Sequence, residues 1–340
     1  MKFNGFNLKA IQNTTDALPD EGALPDINCN ISYVAELSKR QMNFKKSEID
    51  RIINSFFEGK APPAKKNQKA KILLGGPGAG KTCNAIAQYD ALCETEKDHT
   101  IFVSYDERGA IFALPDYIED LKTALGVDEI DPLKPIDEKF TPILTELWDD
   151  YRPVSQYIRS QILKRSVREG YSMHIDTTSS SPGTLKMLDT LFTSGVTQID
   201  VDGSFAPFGI SIARLRTRLR PASMKEAVTK RLGAISMVRD MLDYTNGHFR
   251  YFYNPDNQNT PKLAFEMRGQ ELTASPKIIS EIIENLQSEK QDIEQHIKTY
   301  NLGSALMKEV EKTYAEFENY IRSNILGQPT KPDATLKLKI

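Results

Sequence analysis

Residues 75–82 read Gly75-Gly76-Pro77-Gly78-Ala79-Gly80-Lys81-Thr82, and this stretch decides the fold. It fits GxxxxGK[ST] at every fixed position. Glycines let backbone N–H groups converge on phosphate oxygens where a Cβ would clash. The helix expected next offers its N-terminal donors and dipole to the same charge. Lys81 is placed to reach the β- and γ-phosphates, and Thr82 to hold Mg²⁺. An apolar run at 70–74 precedes the loop and a helical run follows it, which is the context that phosphate binding needs. The reading is a chain that binds a Mg²⁺–nucleotide, ATP or GTP.

Outward from the loop, strand and helix patterns alternate. Residues 70–74 predict a buried strand and 81–94 a helix. Further strands are expected at 100–105, 171–175 and 196–201, with late strands at 250–253 and 262–265. Helices are expected at 46–58, 141–170, 185–192 and 210–219. In the first of these Ile49, Ile52, Ile53, Phe56 and Phe57 share a face, and Gly59 stops it. Pro153 is expected to break or kink the long helix. The alternation predicts an α/β fold, a P-loop NTPase-type mostly parallel sheet with helices on both faces. After 276 the apolar positions Ile278, Ile282, Leu286, Ile293 and Ile297, then Leu306, Val310, Phe317 and Ile321, predict a C-terminal helical hairpin. It is expected to pack on the core, with a partner-binding hairpin as the alternative. The division is an irregular arm at 1–45, a P-loop kinase-like domain at 46–272 and a helical extension at 273–340.

Composition removes several function classes. The chain has 340 residues, a net charge of −2 and a pI near 6.2, so nucleic acid is not implied as a main partner. Cys29, Cys83 and Cys93 show no CxxC spacing, and with four histidines they form no metal pattern. They read as reduced thiols of a cytoplasmic protein. No stretch approaches 18 consecutive apolar residues, so no membrane span is expected. The first residues lack the apolar run of a secretory signal.

A phosphate loop does not name a reaction; the acid that completes the site does. The strand at 100–105 runs into Asp106-Glu107. In a motor-type ATPase the Asp would hold Mg²⁺ through water and the Glu would activate water. In a small-molecule kinase one acid would take the proton of an acceptor hydroxyl. Asp106 lies only 24 residues after Thr82, the layout of compact nucleoside-type kinases. Arg214, Arg216, Arg218 and Arg220 supply positive charge for a moving phosphoryl group, or form a solvated basic face. Arg214 and Arg218 are four apart and share a face. The strand at 171–175 runs into Asp176, Thr177, Thr178, Ser179, Ser180 and Ser181. Asp176 and Thr178 there could bind a hydroxylated acceptor; alternatively Asp176 is a second Mg²⁺ ligand, or the hydroxyls cap the next helix. His174 reads as a satisfied core histidine.

These pieces in this order, over about 46–265, resemble the zeta-toxin family of P-loop kinases. LLGGPGAGKT, VSYDERGAIFALPDY, MHIDTTSSSPGT, ARLRTRLRP and YFYNPDNQNTPKLAF carry the resemblance. It implies phosphoryl transfer from ATP or GTP to a hydroxyl, in the best-known members that of a UDP-linked N-acetyl amino sugar. By position, Asp106 is then the base, Asp176 and Thr178 touch the acceptor, and Arg214 and Arg218 stabilise the phosphoryl group. The chain departs from the family at Ser180, where an Arg is common, and at Asp176, where Glu is usual. A toxin neutralised by an inhibitory protein partner and a protein delivered into another cell are both compatible with the sequence.

Overall fold

The computed structural model describes residues 46–63, 67–104, 110–130, 136–216, 218–219, 222–256 and 261–327. The element order is α1 (Lys46–Ser55), β1 (Lys69–Leu74), α2 (Lys81–Asp90), α3 (Glu94–Asp98), β2 (Thr100–Val103) and α4 (Pro115–Leu125). Then follow α5 (Thr141–Glu169), β3 (Ser172–Ile175), α6 (Gly183–Thr193), β4 (Gln198–Phe205), α7 (Phe208–Arg216) and α8 (Met224–Tyr244). The chain continues through β5 (His248–Tyr253), β6 (Lys262–Arg268), β7 (Glu271–Ala274), α9 (Pro276–Ser288), α10 (Lys290–Thr299) and α11 (Ser304–Tyr320). A π-turn, Ile321–Ile325, extends α11.

The seven strands form one sheet in the order β2-β3-β1-β4-β5-β6-β7. Five are parallel, and β6 and β7 return antiparallel. The expected fold class is the one found. The chain leaves β1 for β2 and β3 on one side and crosses to β4 on the other. Winding reverses at β1, and the crevice outside the carboxyl end of such a strand is where α/β sheets hold ligands.

The two faces of the sheet differ in chemistry. Alternate residues Ala70, Ile72, Met173, Ile175, Ile199, Val201, Phe249 and Tyr251 are buried in the main core, with α6, α8 and α9 to α11 packed there. A second cluster joins Ile101 and Val103 of β2 to α1, α4 and α5. The in-register neighbours Lys71, His174, Asp200, Asp202 and Arg250 point the opposite way. Over the middle of that polar face lies α2.

Several expectations shift. The long helix α5 runs unbroken through Pro153. The proline removes one i→i−4 hydrogen bond, at a cost of about 3 kcal/mol. Trp148, Tyr151, Val154, Ile158 and Ile162 on the same helix are all buried; at about 1.5–3 kcal/mol each they outweigh that cost. The helix expected at 81–94 ends at Asp90, and a separate short helix begins after Cys93, whose backbone N–H is capped by Glu96. α1 ends at Ser55, with a turn to Gly59. β4 runs four residues past the expected end at 201, to Phe205. The helices α4 and α8 and the strand β7 had no counterpart in the sequence reading. For α8 the signal existed: Ser223-x-x-Glu226 is a capping-box spacing, and Ser223 Oγ accepts the Glu226 N–H at 3.1 Å.

The C-terminal hairpin packs on the core, as expected, but as three helices rather than two. Glu289 breaks the first arm into α9 and α10. Asn301 and Gly303, both at positive φ, turn the chain into α11. Ile282, Leu286, Ile293, Ile297, Leu306, Val310, Phe317 and Ile321 are buried. No described helix is long and apolar enough to cross a membrane.

Candidate nucleotide site

The phosphate loop joins the buried carboxyl end of β1 to α2. Its glycines are required where they stand. Gly75 and Gly78 have φ of 151° and 74°. A Cβ at Gly75 would collide with the Ser204 carbonyl oxygen, and one at Gly78 with that of Ser211. Gly76 lies so close to α8 that a Cβ would sit 3.0 Å from Arg231 Cα. Gly80, at φ 88°, is the residue from which α2 starts. The back of the loop is therefore pressed against β4, α7 and α8, with no room for side chains. Pro77 and Ala79 complete the turn, and Ala79 N–H donates to Gly76 O at 3.2 Å.

Lys81 and Thr82 open α2, and both are buried. Lys81 Nζ lies 3.4 Å from Gly76 O, folded back over the loop. Thr82 Oγ1 donates to Asp176 Oδ2 at 2.8 Å, and Ser104 Oγ donates to the same oxygen at 3.2 Å. Asp176 itself follows β3, and its N–H donates to Val103 O at 2.8 Å. Three adjacent strands thus place one carboxylate against the loop threonine. A hydroxyl and a carboxylate together are hard oxygen donors of the kind Mg²⁺ takes. No His, Cys, Asp or Glu cluster that could hold a metal by itself occurs among the described residues.

The loop after β3 is fastened to β1. Gly75 N–H donates to Thr178 O at 3.2 Å, and Ser179 Oγ donates to Leu73 O at 2.6 Å. Ser179 is fully buried with φ 48°, a left-handed conformation unusual for serine. The Thr178 and Ser180 hydroxyls pair at 3.0 Å. They face a cavity of about 200 Å³ lined by Lys81, Trp148, Arg152, Asp176, Thr178 and Arg218 among others.

No family model matches the sequence, and no curated protein does. Among solved structures, a chain of the PezAT chromosomal toxin–antitoxin system of Streptococcus pneumoniae is similar at 13% identity and a TM-score of 0.45, over 86% of this chain and 99% of that one. A chain of AvrRxo1-ORF1:-ORF2 with ATP is similar at 12% identity and a TM-score of 0.43, over 94% of this chain and 96% of that one. The AvrRxo1 complex with sulphate ions gives 13% and 0.45, over 88% and 95%. Likeness at this level carries no inference about activity.

The two arginines separate. α7 ends at Arg216, so the four-residue spacing does not put Arg214 and Arg218 on one helical face. Arg218 lines the cavity beside Lys81. Arg214 lies half-buried on the outside of the loop, donating to Gly78 O at 3.1 Å and to Asp256 O. Burial lowers its guanidinium from the ordinary value. Beside it Asn254 Nδ2 donates to Ala79 O at 2.7 Å. Both side chains engage loop carbonyls rather than loop N–H groups. Asp106 and Glu107 lie outside the described residues, as do Arg220 and Cys29.

Sequence reasoning missed Trp148, Arg152, Glu226 and Lys230, all of which line the cavity. The first two stand on α5 and the last two on α8, helices that reach the site only through the fold.

Proposed function

We propose that this chain is a phosphotransferase that moves the γ-phosphoryl group of ATP or GTP to a hydroxyl of a small acceptor. The observation that carries the proposal is the hydrogen bond from Thr82 to Asp176, a carboxylate that lines a polar cavity together with Lys81 and Arg218. The loop N–H groups and Lys81 bind the phosphates. Thr82 and Asp176 fit Mg²⁺, which when bound neutralises charge on the phosphates. Asp176 thereby serves the metal side of the site, and Thr178 and Ser180 face the acceptor. Arg218 offers positive charge to the transferring group, while Arg214 braces the loop from behind. Asp106 is the proposed base for the acceptor proton.

Trp148 gives the cavity one apolar wall, and Arg152 and Lys230 give it positive charge. A hydroxylated acceptor that also carries phosphate suits that lining, and a UDP-linked N-acetyl amino sugar is the specific candidate. The zeta-toxin resemblance adds an inhibitory protein partner to the proposal.

Incubation with γ-labelled ATP and a pool of nucleotide sugars, nucleosides and proteins tests it. Label is expected on a small acceptor, and Asp106→Asn is expected to abolish transfer while nucleotide still binds. Label released only as inorganic phosphate, and lost on Glu107→Gln, would replace the kinase with a hydrolase.

A further inference from the structure

Glu289, at the joint between α9 and α10, belongs to no site described so far, yet it is buried and fully engaged. Its Oε2 accepts the Phe208 N–H at 2.7 Å. Its Oε1 accepts from Arg231 Nη2 and from Tyr314 Oη, each at 2.6 Å. Arg231 Nε donates to Tyr314 Oη at 2.8 Å, and its Nη1 to Ala206 O at 2.7 Å. The guanidinium also stacks over the Phe205 ring at 4.5 Å. Glu289 fixes the Arg231 cation, raising its guanidinium above its ordinary value against the opposing effect of burial.

Phe208 is the first residue of α7. A carboxylate on that N–H satisfies one of the free donors of the helix and complements its dipole. The Phe208 ring also packs edge-on against His296 of α10, at 5.5 Å. Three residues on, the Ser211 carbonyl lies against Gly78, and at the end of the helix come Arg214 and then Arg218. On the other side of the network, Arg231 is the residue on which Gly76 rests.

We infer that Glu289 is a positioning residue. Through Phe208 and Arg231 it holds α7 and the back of the phosphate loop in one register, so the C-terminal helices are part of the phosphate apparatus. The catalytic half of this inference rests on the phosphotransferase reading. The mechanical half does not.

Removing one partner alone leaves a buried charge and risks unfolding. The double variant Arg231→Met/Glu289→Leu removes both charges and keeps the volume, an exchange that buried pairs tolerate. Amide exchange along 208–216 is expected to speed up about tenfold or more on losing the cap, with exchange along α8 unchanged. ATP affinity is expected to fall about tenfold as the back of the loop loosens, while transfer kcat falls about a hundredfold, as for a misplaced catalytic group. Tyr314→Phe leaves the charges paired and is expected to show the same exchange pattern at about fivefold. Wild-type exchange along 208–216 in both variants overturns the inference. So does wild-type kcat in a double variant whose α7 has loosened. Should the wild-type protein show no transfer that Lys81→Ala abolishes, the kinase reading falls, and the exchange measurement alone decides whether Glu289 holds α7.

Discussion

Two arginine–carboxylate pairs sit on opposite faces of the same sheet and do different work. Arg231 and Glu289 lie on the apolar side, both side chains about 5% exposed. Arg250 and Asp202 lie on the polar side, where Arg250 makes a two-pronged contact at 2.8 and 2.7 Å and stays 25% exposed. Arg250 and Lys71 both donate to Gln88 Oε1 at 2.7 Å, which ties the polar face to α2. The first pair belongs to a closed, buried network in which Glu289 Oε1 serves both Arg231 and Tyr314. In the second, Asp202 is buried and bonded to Arg250 at both oxygens, while the partly exposed Arg250 shares Gln88 of α2 with Lys71. Burial of both partners makes the loss of either one alone costly; an exposed partner softens that cost.

The largest effect should come from the apolar face itself. Phe249 is fully buried and stacked on Phe265 at 5.8 Å. Phe249→Ala is expected to cost about 3–5 kcal/mol in denaturant unfolding. Glu289→Ala should cost nearly as much, about 3–5 kcal/mol, because Arg231 is left charged and buried.

His174 sharpens the contrast on the polar side. Its Nδ1 has no partner, so the expectation of a satisfied core histidine fails for that atom. Burial, with Lys71 close by, lowers its pKa to about 4. The neutral ring is thus the form that the fold holds. Its stabilising contribution is complete above the unfolded value near 6.5 and is lost as pH falls from there through about 4. The loss is about 3 kcal/mol over that window. His174→Phe is expected to flatten the thermal midpoint against pH across it; an unchanged slope counts against this assignment.

The smallest effect should be Arg250→Ala, about 2 kcal/mol, since the buried Asp202 loses both hydrogen bonds while the Lys71 charge close by offsets part of the loss. A loss as large as that of Glu289→Ala would break the comparison, because it would make the two faces equally dependent on a single pair.

Much of this was legible beforehand. The loop 75–82 announces itself because the constraint is local: a tight backbone path, a helix start and two side chains within eight residues. The β1 and β3 runs were legible because apolar residues alternate or cluster over a few positions. Helix α8 was missed although Ser223 and Glu226 mark its start, since its middle is apolar on more than one face and shows weak periodicity. The break at Glu289 was missed because Ile282, Leu286, Ile293 and Ile297 keep helical spacing across it.

What the sequence determined by itself is the tight glycine-rich loop at 75–82 and the alternation of strands and helices, both written in short-range spacing. Only the tertiary structure decided that Asp176, 94 positions from Thr82, meets its hydroxyl at the carboxyl ends of neighbouring strands. It also parted Arg214 from Arg218, because the helix carrying them ends between the two. And it joined Glu289 to Phe208 and Arg231, since a buried charge must find its partners wherever the fold brings them, and no local pattern records that.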